Sequence, residues 1–64
     1  MKEFHLYFTG KKEWFLNGNL HREDGPAVEY ANGTKYWCLE GKDFLYEKRY
    51  WEALEKYKRE KNIK

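Results

Sequence analysis

His21, Arg22 and Asp24 form the densest group of chemistry-bearing side chains in the sequence. An imidazole can act as a general base, a carboxylate can orient it, and a guanidinium can clamp an anion. The same string also reads as architecture, with His21 or Arg22 bonding Asp24 and the carbonyls of one tight loop. Asp24-Gly25-Pro26 is turn chemistry, because Gly is permissive and Pro fixes φ. No nucleophile stands nearby, and 64 residues leave little room for a water-excluding pocket. The structural reading is preferred, and no catalytic residue is assigned. A metal site would need His5, His21, Cys38 and a carboxylate to converge, yet neither C-x-x-C nor H-x-x-x-H spacing occurs. The glycines never form G-x-G-x-x-G or G-K-[ST]. No cofactor and no metal are therefore expected.

The elements that must position this group repeat. Gly10-Lys11-Lys12-Glu13-Trp14-Phe15-Leu16-Asn17-Gly18 aligns with Gly33-Thr34-Lys35-Tyr36-Trp37-Cys38-Leu39-Glu40-Gly41 at a constant offset of 23 residues. The shared pattern, G-x-K-x-W-x-L-x-G, marks a repeat built from one supersecondary unit. Glu3 to Phe8 alternates, with Phe4, Leu6 and Phe8 on one face and His5 and Tyr7 on the other, which predicts a strand. Lys12–Leu16 predicts a second strand, with Trp14 and Leu16 on one face and Phe15 on the other. Asn17-Gly18 and Asn32-Gly33 are hairpin dipeptides. Short strands are expected at Asn19–His21 and Ala27–Tyr30, a longer one at Thr34–Leu39, and a stub at Lys42–Phe44.

After Gly41 the period changes. Tyr46, Tyr50, Leu54, Tyr57 and Lys61 step by three and four residues, with Trp51 alongside, which predicts an amphipathic helix over 45–61. Asp43 is a candidate N-cap, and Glu47–Trp51, Glu52–Lys56 and Glu55–Arg59 are i,i+4 pairs. The expected fold is α+β, a single domain over 1–64. An antiparallel β-hairpin repeat meander of five or six short strands (3–44) is capped by the C-terminal helix (45–61), with 62–64 as a tail. Trp14 and Trp37 should be equivalent, buried and facing the helix. Part of Phe4, Leu6 and Phe8 should join them on the covered face.

Composition limits the function classes. Three Trp, six Tyr and four Phe supply the large apolar area so short a chain needs, and one Cys cannot staple it. No apolar run approaches the length of a membrane span and no leader pattern is present, so a cytoplasmic protein is expected. Residues 1–46 carry six basic and seven acidic side chains, and 47–64 carry seven basic and four acidic ones. A DNA mimic would be strongly acidic throughout.

The residues Trp14-x-x-Asn17-Gly18-x-Leu20-His21-Arg22-x-Asp24-Gly25-Pro26-Ala27, followed by Asn32-Gly33-x-Lys35-x-Trp37, resemble a known repeat. It is the short W-x-x-N-G-x-x-H-R-x-D-G-P-A repeat of many tailed-phage and bacterial proteins, itself similar to MORN repeats. The resemblance covers residues 3–44. The second copy departs from it, since Lys42-Asp43-Phe44-Leu45 stands where the His-Arg-x-Asp-Gly string would resume. The resemblance implies a hairpin fold and a phage accessory protein in a bacterial host, and no activity.

A non-enzymatic protein-binding module is the expected function, docking on and inhibiting or modulating a host protein such as a defence nuclease. Very small aromatic-rich domains present rigid patches anchored by Tyr, Trp and Arg. The expected binding residues are Phe15, Tyr36 and Tyr30 on the second sheet face and Arg49, Lys56 and Arg59 on the outer helix face. Phe15 and Tyr36 should lie across adjacent strands. The alternative is a small nucleic-acid-binding protein, using exposed aromatics beside Lys11, Lys12 and Lys35. Glu13, Glu23 and Glu29 interleave with these and weigh against it.

Overall fold

A computed structural model describes residues 1–61. Six short strands precede one helix: β1 (Lys2–Leu6), β2 (Lys12–Leu16), β3 (Asn19–Leu20), β4 (Val28–Glu29), β5 (Lys35–Leu39), β6 (Lys42–Phe44) and α1 (Glu47–Lys61). The sheet is antiparallel, meander-like, and ordered β1-β2-β4-β5-β6, with β3 also pairing β2. The fold is α+β, as the alternation and the late change of period predict. The tail at 62–64 lies outside the described residues.

The repeat survives in the backbone. Asn17 and Gly18 have φ of 52° and 84°, and their counterparts Glu40 and Gly41 have 49° and 86°. Positive φ at both central residues closes two-residue hairpins with the twist strands require. Glu40 is costly there, by about 1 kcal/mol, because its Cβ crowds the carbonyl. The Tyr7 N–H donates to the Lys11 carbonyl and, one repeat later, Tyr30 N–H donates to Thr34 carbonyl, both at 2.8 Å. Thus β4 is the second unit's counterpart of β1.

β3 and β4 share the lane between β2 and β5. Lys12 and Glu13 pair with Glu29 and Val28, while Phe15 and Leu16 pair with Leu20 and Asn19. The changeover falls at Trp14, whose N–H donates to the Ala27 carbonyl and whose carbonyl accepts from His21 N–H, both at 2.9 Å. On the far side, Ala27 N–H donates to Tyr36 carbonyl (2.8 Å) and Arg22 N–H to Cys38 carbonyl (3.2 Å). Residues 22–26 are therefore extruded from the middle of the sheet.

The first strand is shorter than alternation predicts. It ends at Leu6, and Gly10 N–H donates to the Tyr7 carbonyl (2.8 Å), so Phe8 sits on a turn in full contact with solvent. Asp43 lies in β6, and the helix starts four residues later, so Asp43 is no cap. Among the expected helix pairs, Trp51 Nε1 donates to Glu47 (2.9 Å) and Arg59 meets Glu55 (3.4 Å), whereas Glu52 pairs with Arg49 at 3.5 Å.

The helix buries Tyr50 and Leu54 against Leu39, with Trp37, Phe44, Ala53 and Tyr57 packed around them. It covers β5 and β6 and leaves the β1–β2 hairpin bare on that face, so Phe4 and Leu6 are exposed. The two Trp residues consequently have different neighbours. Trp37 packs against Tyr50 and Trp51, with ring centres 5.0 and 5.7 Å away. Trp14 meets Phe4 at 4.9 Å and carries the Arg22 guanidinium 3.8 Å above its ring. The expected equivalence fails because the second unit has the helix where the first has the extruded loop.

Trp37→Ala should cost about 3 kcal/mol, a large share of the stability of so small a domain, and abolish a cooperative melt. Trp14→Ala loses a cation–π contact and one aromatic pair, about 1–2 kcal/mol, and should still melt cooperatively at lower temperature. Circular dichroism of the two variants checks the difference.

Candidate protein-binding face

The His21-Arg22-Glu23-Asp24 loop is closed by its own side chains. His21, only 4% exposed, accepts from the Glu40 N–H at Nδ1 (2.9 Å) and lies 2.8 Å from Glu23 Oε2 through Nε2. A ring nitrogen that accepts carries no proton, so the neutral ring is the Nε2–H tautomer, donating to Glu23. Arg22 donates from Nε to Asp24 (2.8 Å) and from Nη1 to the Pro26 carbonyl and Glu29, both at 3.1 Å. The Tyr50 hydroxyl, on the helix, donates to the Arg22 carbonyl. Gly25 leaves room for this arrangement, since a Cβ there would stand 3.0 Å from the guanidinium carbon. The expected partner of Asp24 is thus Arg22, and His21 takes Glu23 instead. Neither His21 nitrogen is free to act on a substrate.

The opposite sheet face carries a row of rings. Pairing of His5 with Glu13, Glu13 with Val28 and Val28 with Tyr36 puts those four residues on one face, which Tyr7, Lys11, Phe15 and Tyr30 share by alternation. Phe15, half-buried, meets His5 edge-on at 5.1 Å, and His5 stacks toward Tyr7 at 6.4 Å. Lys11 Nζ lies 4.7 Å from the Tyr7 ring centre and 5.5 Å from that of Tyr30, and Tyr30 meets Tyr36 edge-on at 5.8 Å. Tyr7, Tyr30 and Tyr36 remain 42, 39 and 43% exposed. Glu13 holds the row in place, accepting from the Tyr7 hydroxyl (2.6 Å) and pairing with Lys11 (3.5 Å). That carboxylate raises the Tyr7 hydroxyl pKa, first through the hydrogen bond.

Phe15 and Tyr36 are not on adjacent strands, because β4 runs between β2 and β5. They occupy the two ends of the row, and the partner of Tyr36 is Tyr30. Arg49, Lys56 and Arg59 are exposed on α1, which packs on the face bearing Trp37 and Leu39, so the sheet separates them from the rings. Arg49 and Arg59 are engaged by Glu52 and Glu55. Tyr7 and His5 are not among the expected binding residues, and Lys11 is expected beside the aromatics only in the nucleic-acid alternative. The signal was present in the alternation that puts His5 and Tyr7 opposite Phe4 and Leu6.

Other chemistry is sparse among the described residues. They contain no group of three or more His, Cys, Asp or Glu placed to hold a metal ion. Cys38 is buried, and its thiol is pushed up to about 11 by burial and then by the charge of Asp43. An open cleft of about 440 Å³ lies beside the loop, between Phe4, Trp14, Arg22 and Lys58, with Glu23 and Asp24 also lining it. None of the described helices is long and apolar enough to cross a membrane. The chain matches no protein-family model, no curated protein and no solved structure.

The loop predicts acid sensitivity. The hydrogen bond from His21 holds the Glu23 carboxyl below its ordinary value of 4.5, against the opposing effect of burial. Folding favours the ionised form, so this contribution is complete above pH 4.5 and disappears as pH falls through the lower folded value. Glu23→Gln should flatten the decline of stability in that window, read by urea melts between neutral and acidic pH. Separately, the buried, mostly protonated Cys38 should react with a thiol reagent at mildly alkaline pH only after denaturant is added. Rapid labelling of the native protein would contradict its placement.

Proposed function

We propose that this chain is a non-catalytic protein-binding module and that its partner docks on the aromatic row of the sheet face opposite the helix. The observation that carries this reading is the Tyr7, Lys11, Tyr30 and Tyr36 group. Three half-exposed phenol rings are held by one another, by a lysine and by Glu13 on a hydrogen-bonded sheet. Rings fixed in advance lose little side-chain entropy on docking, and Tyr is among the residues that dominate interface energy. Phe15 and His5 extend the apolar area at one end.

The partner proposed is a host protein, such as a nuclease of host defence, inhibited or modulated by docking. This rests on the likeness of Trp14–Ala27 to the tailed-phage repeats. Nucleic acid is the weaker reading. Binding a phosphate backbone needs cations free to neutralise it. Lys11 is engaged by Glu13, and Arg22 by Asp24 and Glu29. Arg49, Lys56 and Arg59 keep the role of steering encounter through long-range charge, on a side of the molecule that makes no direct contact with the docked partner.

Capture from host lysate, with and without nuclease treatment, tests the reading. A partner that survives nuclease is expected. Tyr36→Ala and Tyr30→Ala should each weaken its binding by at least tenfold, about 1.4 kcal/mol, while leaving the melting temperature close to wild type. Reversing charge at Lys56 and Arg59 should slow association at low salt only. A partner lost with nuclease, or one indifferent to both Tyr changes, contradicts the assignment.

A further inference from the structure

We infer that the outer edge of β1 pairs with the β1 edge of a second copy of this chain, antiparallel and about a two-fold axis through Phe4. The inference is independent of what docks on the aromatic row. The backbone pattern defines the edge. Tyr7 N–H donates to Lys11 carbonyl and Asn17 N–H to Met1 carbonyl, so the odd-numbered residues of β1 bond inward to β2. The N–H and C=O groups of Lys2, Phe4 and Leu6 therefore point outward, and β1 stands at the end of the sheet. An open edge of this kind is a template for another strand.

The repeat shows what this edge does when it is occupied. β4, the counterpart of β1, docks on β2 along the corresponding edge, with Glu29 opposite Lys12 and the Ala27 carbonyl accepting from Trp14 N–H, while the Ala27 N–H turns back to Tyr36. Repeating that docking head-to-tail between molecules would set β1 against Lys35–Trp37. Side chains oppose it. Phe4 would stand where the internal junction has the buried Ala27, against a Trp37 already packed with Tyr50 and Trp51.

Two-fold pairing through Phe4 avoids that clash. Phe4 meets its own copy, beside the two Trp14 rings that it already touches. Glu3 falls opposite His5 of the other copy, twice, in the non-hydrogen-bonded positions where side chains approach closest. Lys2 lies across from Leu6, its alkyl stem on the exposed leucine. About six backbone hydrogen bonds would join the two sheets. The contact is smaller than the roughly 1,200 Å² of a standard interface, so the dimer forms at high protein concentration.

Sedimentation velocity from micromolar to millimolar protein, together with amide hydrogen exchange, tests this. A concentration-dependent dimer is expected, with the amides of Phe4 and Leu6 gaining protection as it forms. His5→Glu sets Glu3 against a second carboxylate at both symmetric positions and should weaken the dimer about tenfold. Adding Glu3→Lys to His5→Glu restores an attractive pair and should restore the dimer. Phe4→Pro removes an outward N–H from an edge strand, where proline is tolerated, and should leave only monomer. A chain that stays monomeric with Phe4 and Leu6 amides unprotected overturns the inference. So does a dimer indifferent to His5→Glu, or one that the double variant fails to restore.

Discussion

The His21 ring accepts a hydrogen bond from Glu40 and donates one to Glu23, and the rest of the structure depends on that pair of bonds. They tie the extruded loop to the β5–β6 turn across 19 positions of sequence. The Tyr50 hydroxyl then ties the helix to the same loop at Arg22. Without these links the sheet would have an open lane at its centre, because β3 and β4 are each two residues long. Such strands have no independent stability. A buried imidazole with both nitrogens satisfied closes the gap, and losing either bond leaves a buried polar group that costs about 1–3 kcal/mol. The bond to Glu40 also offsets the left-handed backbone that Glu40 must adopt.

One repeat unit thus receives two different covers. In the first, Arg22 folds back over Trp14 and is neutralised by Asp24 and Glu29. In the second, His21 is replaced by Phe44 and the chain runs into the helix, which lays Tyr50 and Trp51 over Trp37. The same strand–turn–strand scaffold carries a polar clasp on one side and an apolar cap on the other. Both covers lie on one sheet face, which leaves the opposite face free to present its rings. That division of labour underlies the proposal that stability resides in the covered face and recognition in the bare one.

Much of this was legible in residue order, for local reasons. Gly10, Asn17, Gly18, Gly33 and Gly41 take the positive φ that their residue types favour, whereas Asn32 and Gly25 do not, and alternation with a later change to helical period specifies the α+β fold. That the helix turns Tyr50, Leu54 and Tyr57 toward the sheet follows from spacing alone. What could not be read was non-local. That β3 and β4 share a lane depends on hydrogen bonds from Trp14 to both Ala27 and His21. That Trp14 lies under Arg22 rather than the helix depends on where a 15-residue helix reaches from the far edge of the sheet. Phe15 and Tyr36 were correctly placed on one face, yet the strand between them separates the pair and gives Tyr36 the neighbour Tyr30. Alternation assigns a face, whereas register across three strands decides which residues meet.

The claim on which most else rests is that His21 is a structural fastener and not a free base. Its tautomer and the exchange of the Glu40 amide report on this directly, through long-range ¹H–¹⁵N correlation of the ring and native-state hydrogen exchange. An unprotonated Nδ1, a proton on Nε2, and a Glu40 amide that exchanges only when the domain unfolds are expected. A ring averaging between both tautomers, with the Glu40 amide exchanging as fast as an exposed turn, would contradict it.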